Sequence, residues 1–98
     1  MAEASNIVRA HVWVRGRVQG VGFRMFVESA ARKLTLTGWV RNVGYDVVEA
    51  IAEGERANVD ALIEQMKDGP RGARVDDARV EWEDVTGEFA EFGVKRSF

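Results

Sequence analysis

The chain has 98 residues, a formal net charge of -2 at pH 7 and a sequence pI of about 5.4, with 46% hydrophobic and 31% charged residues and no cysteine. That length suits one domain around one core, since domains run to roughly 100–150 residues. Disulfides and thiolate metal sites are excluded, no apolar run approaches the roughly 20 residues of a membrane span, and the acidic balance argues against a nucleic-acid partner.

In chain order, the opening MAEASN has no basic start and no apolar stretch, so residues 1–6 read as a flexible tail, 7–98 as the domain, and a cytoplasmic location is expected. Val8, Ala10, Val12 and Val14 then alternate with Arg9, His11 and Trp13, the period of a half-buried strand. After a glycine-rich stretch, Phe23, Phe26, Val27, Ala30 and Leu34 recur at helical spacing, with Glu28, Arg32 and Lys33 on the wet side. Leu36 to Asn42 and Val47 to Glu53 read as two strands around the turn residues Gly44 and Asp46, with Val48, Ala50 and Ala52 facing the core. Val59, Leu62, Ile63 and Met66 mark a second helix, capped at Asn58 or earlier and stopped by Gly69 and Pro70. Ala78, Val80 and Trp82 alternate with Arg79, Glu81 and Glu83, and Phe92 and Val94 suggest a short closing strand. The order strand, helix, strand, strand, helix, strand predicts an α+β, ferredoxin-like βαββαβ sandwich: an antiparallel sheet of four to five strands with two helices on one face.

The stretch GRVQGVGFR, Gly16 to Arg24, joins the first strand to the first helix. Glycines at Gly20 and Gly22 permit positive φ and remove the Cβ atoms that would block close approach, so successive N–H groups at the helix N-terminus can meet one phosphate-sized oxyanion. Arg24 falls in the first helical turn, where the helix dipole disfavours a cation unless a bound anion offsets it, and its planar fork can take two phosphate oxygens. The glycines alone also suit a tight strand-to-helix turn, and Asn42 alone suits a strand end before a turn. The run is not a nucleotide motif, because no Gly-Lys-Ser/Thr follows and Met25 stands where a dinucleotide fingerprint has its third glycine.

GRVQGVGFR closely resembles the signature of the acylphosphatase family, and GWVRN, Gly38 to Asn42, resembles that family's second block. The likeness runs over nearly the whole chain, with Glu53–Gly54 and Gly69–Pro70 also in place; the Gly44-Tyr45-Asp46 turn departs from the family's usual Asp-Gly turn. The resemblance implies hydrolysis of acyl phosphates to a carboxylate and inorganic phosphate. It assigns Arg24 and Asn42 as catalytic residues, Arg24 holding the phosphate and Asn42 orienting the attacking water, and Gln19, Gly20, Val21, Gly22, Phe23 and Arg24 as the phosphate-binding loop. The expected partner is a small-molecule acyl phosphate, with inorganic phosphate as product and inhibitor, and a monomer is expected; with no cysteine, one histidine and no convincing carboxylate cluster, neither a metal nor a cofactor is expected.

The leaving carboxylate, whose conjugate acid has a pKa of roughly 4, departs without a general acid. Phosphoryl transfer through a loose transition state needs mainly positioning and charge stabilisation, which one arginine and a ring of amides supply. Other groups carry no expected chemistry. His11 is a lone ring on a polar strand face, Asp76 and Asp77 are adjacent strand residues, and Asp60, Glu64, Asp68, Arg56 and Lys67 form a solvated charge pattern. Two alternatives are a non-catalytic phosphate or carbamoyl-phosphate binding domain, and an RNA-binding module using Arg9, Trp13, Arg15, Trp39 and Arg41 on the helix-free face.

Overall fold

The computed structural model of the protein describes residues 6–98. Its elements follow the expected order: β1 (Ile7–Arg17), α1 (Phe23–Lys33), β2 (Thr37–Val43), β3 (Val47–Glu55), α2 (Arg56–Asp68), β4 (Arg74–Glu83) and β5 (Phe92–Val94). The strands form one sheet in the order β4-β1-β3-β2-β5. β3 pairs antiparallel with β1 and with β2, and β4 pairs antiparallel with β1, which is the split βαβ plan. β5 differs from the antiparallel expectation, because it runs parallel to β2 through Gly38↔Phe92, Trp39↔Gly93 and Val40↔Val94. The expected tail lies, apart from Asn6, outside the described residues; the Asn6 carbonyl accepts from the Arg56 N–H at 2.9 Å.

The core lies between the helices and one sheet face. Val12, Val14, Val40, Val48, Ala50 and Ala52 from the sheet meet Phe23, Val27, Ala31, Val59, Leu62 and Met66 from the helices, all essentially buried. Each fully buried large side chain contributes roughly 1.5–3 kcal/mol relative to exposure. Helical spacing identified this face correctly in α2, whereas in α1 Ala31 is buried and Phe26 and Leu34 sit only at its edge. Trp82 is not core either: it is 45% exposed near the end of β4, with the Arg56 guanidinium 4.2 Å over its ring. Its alternation is right for a strand, but β4 is an edge that the helices do not cover to its end.

Strand ends also moved. β1 runs on to Arg17 and β4 starts at Arg74, because a register shift between Arg15 and Gly16 lets the two strands keep pairing past the regular alternation. α2 begins at Arg56, two residues before Asn58, with Glu55 as its N-cap. The glycine that opens GWVRN is required by close packing, since a Cβ on Gly38 would lie 1.9 Å from the Ile51 carbonyl oxygen.

Candidate active site

β1 and β2 are parallel to each other on either side of β3, so both finish at the same edge of the sheet. Arg15 of β1 and Val43 of β2 flank the same residue, Val47. The loop leaving β1 and the end of β2 are therefore neighbours, and α1 starts above them. Asn42 pairs with Val48 one step before that edge and continues the series Gly38, Val40 that faces the helix layer. It is thus a polar side chain at a core-facing position, just where the core runs out.

Of the residues expected at the site, Gln19, Gly20, Gly22, Phe23, Arg24 and Asn42 line one cavity of about 140 Å³, together with Val18 and Met25. The side chain of Val21 does not line it but packs against the core from between the two glycines, so that any part Val21 takes in the loop is through its backbone N–H. Val18, fully buried, and Met25, 73% exposed, were not anticipated and form a floor and a rim. Gly20 and Gly22 both have φ 75°, and a Cβ at either would meet no protein atom within 4 Å. Glycine is required here by backbone conformation, and the space beside it is open.

Gly22 caps α1, and the first bond of the helix runs from the Phe26 N–H to the Gly22 carbonyl at 3.0 Å. Among the described residues, no backbone N–H from Gly20 through Met25 finds a backbone acceptor. No acidic residue occupies the first turn of α1, so nothing in the helix itself answers these donors or the positive end of the dipole. Arg24 enters no ion pair among the described residues, and Glu28, one turn further on, pairs with Arg32 at 3.5 Å instead. A guanidinium, a row of free N–H groups and a carboxamide thus border one small cavity, an arrangement suited to an oxyanion.

A wider depression of about 540 Å³ lies on the other side of Gln19. Arg74 lies 3.0 Å from Asp76 there and Arg15 3.7 Å from Asp77, while Arg17 and Asp46 enter no ion pair among the described residues. Unlike the smaller cavity, this depression brings carboxylates, Asp46 and Asp76, among its cations, which makes the smaller cavity the better anion site.

The helix-free sheet face carries charge of a different kind. His11 lies 2.6 Å from Glu49 and 2.7 Å from Glu83 and stacks on Trp13 with ring centroids 3.8 Å apart. Arg41 holds Glu49 at 2.7 Å, and Arg9 holds Glu53 at 3.1 Å. Burial pushes the Glu49 carboxyl up, but hydrogen bonds from His11 and Arg41 outweigh it and hold the group below the usual carboxylate range. Burial acts the same way on Glu53, where the N–H groups of Thr86 and Gly87 and the side chain of Arg9 reverse it. Arg9 and Arg41, candidates for an RNA surface, are thereby engaged within the protein, and His11 ties three strands together. Asp76 and Asp77 are both exposed.

Fold and cavity together define a class: a ferredoxin-like α+β protein with a run of free backbone donors and an unpaired arginine at the mouth of its first helix. The acylphosphatase family model matches residues 10–94. An acylphosphatase of Anaeromyxobacter sp. (strain Fw109-5) is 47% identical over 91 residues, which cover 93% of this chain and 98% of that protein. The structure of an acylphosphatase from Coxiella burnetii superposes with a TM-score of 0.86 at 40% identity, covering 92% of this chain and 94% of that one. Full-length HypF, in a phosphate- and nucleotide-bound form, matches with a TM-score of 0.87 at 29% identity over 99% of this chain but 13% of its own. The chain belongs to the acylphosphatase family, and it acts as a hydrolase on small-molecule acyl phosphates. Among the described residues no helix is long and apolar enough to cross a membrane.

Proposed function

We propose that the phosphate of the substrate is held by Arg24 and the loop amides, and that Asn42 orients the attacking water. What carries this reading is the unanswered donor set: N–H groups from Gly20 through Met25 without a backbone acceptor, beside an arginine without a carboxylate, in the cavity that Asn42 also lines. Electrostatic donors in place before the reaction cost no reorganisation when charge develops on the transferring phosphoryl oxygens.

In the proposed step, the oxygen of the water attacks phosphorus in line, the bond from phosphorus to the bridging oxygen breaks, and the carboxylate leaves with that oxygen and its electron pair. The water's proton passes to a phosphate oxygen, giving inorganic phosphate. The Asn42 carboxamide accepts from the water through its oxygen, which holds the nucleophile without needing to take its proton. No side-chain nucleophile takes part, and Arg24 with the amides supplies the positive charge for which other phosphoryl-transfer sites use a metal ion.

Inorganic phosphate, the product, fits the same donors and inhibits by occupying them. The reading extends to a monomer in the cytoplasm, which size-exclusion chromatography and cell fractionation check. Hydrolysis of benzoyl phosphate by the purified protein, followed by ultraviolet absorbance, is the direct test. Phosphate binding without turnover would instead indicate a non-catalytic binding domain.

A further inference from the structure

The side chain of Gln19 does something its place in the anion loop does not require. Its Nε2 donates to the Val47 carbonyl at 2.9 Å, to the Gly44 carbonyl at 3.2 Å and to the Val43 carbonyl at 3.3 Å. Three carbonyl oxygens around one nitrogen fix the orientation of the carboxamide, because turning it over would set its oxygen against three acceptors. The three span the β2–β3 hairpin end, Val43 closing β2, Gly44 in the turn and Val47 opening β3, and Val43 follows Asn42 directly.

That contact bridges a gap in the fold. β3 separates β1 from β2, so the loop leaving β1 and the strand end carrying Asn42 share no ladder. One backbone bond crosses lower down, from the Gly16 N–H to the Asp46 carbonyl at 3.0 Å. Among the described residues, Gln19 is the side chain hydrogen-bonded across the gap between the loop and the turn. The other side of the turn is held independently, with the Phe98 N–H donating to the Asn42 carbonyl at 2.8 Å and the Gly44 N–H donating to the Phe98 carbonyl at 3.1 Å. Cutting the Gln19 tie therefore leaves the hairpin formed and joined to β1 by the ladder and the Gly16–Asp46 bond, with no remaining hydrogen bond among the described residues from the loop beyond Gly16 to fix its distance from the turn.

We propose that Gln19 is a positioning residue: its carboxamide sets the distance between the phosphate held by the loop and the water held by Asn42. This assignment rests on the reading that Arg24 with the amides holds phosphate and Asn42 holds water. The glutamine side chain suits the task, since it supplies an N–H donor pair at the reach the three carbonyls demand, whereas a glutamate would face them with acceptors. In a reaction governed by in-line geometry, a displacement of about 1 Å costs up to about 100-fold in rate.

The experiment measures kcat, KM for benzoyl phosphate and inhibition by inorganic phosphate for the parent, Gln19→Ala, Gln19→Met, Asn42→Ala and the Gln19→Ala/Asn42→Ala pair. Gln19→Met keeps the length and removes the donors, so it carries the test if Gln19→Ala folds poorly. The expected result is a kcat loss between about 10- and 100-fold for either Gln19 variant, with phosphate inhibition changed by less than about threefold. In the pair, the Gln19 change should cost much less than it does alone, because with Asn42 gone there is no water left to position. Gln19→Glu should recover relative to the parent as pH falls and its carboxyl gains a proton to donate. Parental kcat in Gln19→Met, phosphate affinity falling in step with kcat, or fully additive losses in the pair would each overturn the assignment. Parental turnover in Asn42→Ala would instead refute the underlying reading of the site.

Discussion

Replacing Arg24 by alanine should abolish turnover without destabilising the protein, and the structure sets the sign of both effects. Arg24 has no ion pair among the described residues and stands in the first turn of α1, where its charge opposes the helix dipole and no acidic residue compensates it. Removing that charge should return about 0.3–1 kcal/mol, and alanine is the better helix former by a few tenths. Against this stands only the packing of the half-buried aliphatic stem. The net is a variant as stable as its parent or better by up to about 1 kcal/mol, which in a domain of this size moves Tm by about 4–8 °C. Turnover should fall by about 10³-fold or more, about 4 kcal/mol of transition-state stabilisation. Thermal unfolding with and without inorganic phosphate, beside benzoyl phosphate hydrolysis, measures both quantities on the same preparations. At a phosphate concentration about 100 times its Kd, the parent should gain about 2.7 kcal/mol and the variant nothing. Turnover within tenfold of the parent, or a loss of stability above about 1 kcal/mol, would show that Arg24 serves the fold rather than the anion.

Asn42→Ala should lower kcat far more than it weakens phosphate inhibition, and equal losses would assign Asn42 to binding instead. Treatment with a chelator should leave the rate unchanged if, as proposed, Arg24 and the amides neutralise the phosphate; inactivation reversed by a divalent ion would refute this. Acetyl and benzoyl phosphate should be hydrolysed while glycerol phosphate is not, since expelling an alkoxide needs a proton donor that the cavity lacks; comparable rates would reveal a missed general acid. Glu53→Gln should cost about 3 kcal/mol of stability near neutral pH, because it disturbs a buried ion pair with Arg9, while turnover stays near parental on the opposite face of the sheet. Glu53 titrates below its ordinary 4.5, so its contribution is present above that pH and lost as pH falls through the folded value; the gap between parent and variant should close in acid, which unfolding at several pH values measures.

The sheet, both helices and the loop were legible because each rests on a local periodicity. Val48, Ala50 and Ala52 alternate, Val59, Leu62, Ile63 and Met66 recur at helical spacing, and Gly20 and Gly22 announce positive φ at a strand-to-helix junction. Less legible was whatever depends on which strands become neighbours. The parallel docking of β5 on β2, the pairing of His11 with Glu49 and Glu83, and the reach of Gln19 to the β2–β3 turn all join residues far apart in the chain. Asn42 had a usable signal: counting by twos from Gly38 and Val40 puts a carboxamide on the helix-facing side of a strand, where an apolar residue is the norm. Val21 serves two ends at once, its side chain packing against the core while its N–H stays in the backbone run that the loop reading uses.

Stability and chemistry are built on different parts of this molecule, and the cradle's own features run against folding. It combines two left-handed glycines, a cation at the wrong end of a helix and a run of N–H groups with no backbone partner. The misplaced cation and the unpartnered N–H groups are unfavourable in the empty protein and, on the proposed reading, are answered once a phosphate occupies the cavity, while the glycines let the backbone take that shape. The opposite sheet face is the reverse case, where Glu49 and Glu53 have every charge answered by Arg41, His11, Arg9 and backbone donors. A loop held only by its own contacts would relax and satisfy its donors internally. The cradle stays open because its flanks are fixed from outside: Val18 and Phe23 are buried in the core at its two ends, and Gln19 is tied to the hairpin between them. On the proposed reading of the site, the free energy withheld from folding at these donors is what meets the charge developing on the phosphoryl oxygens during transfer.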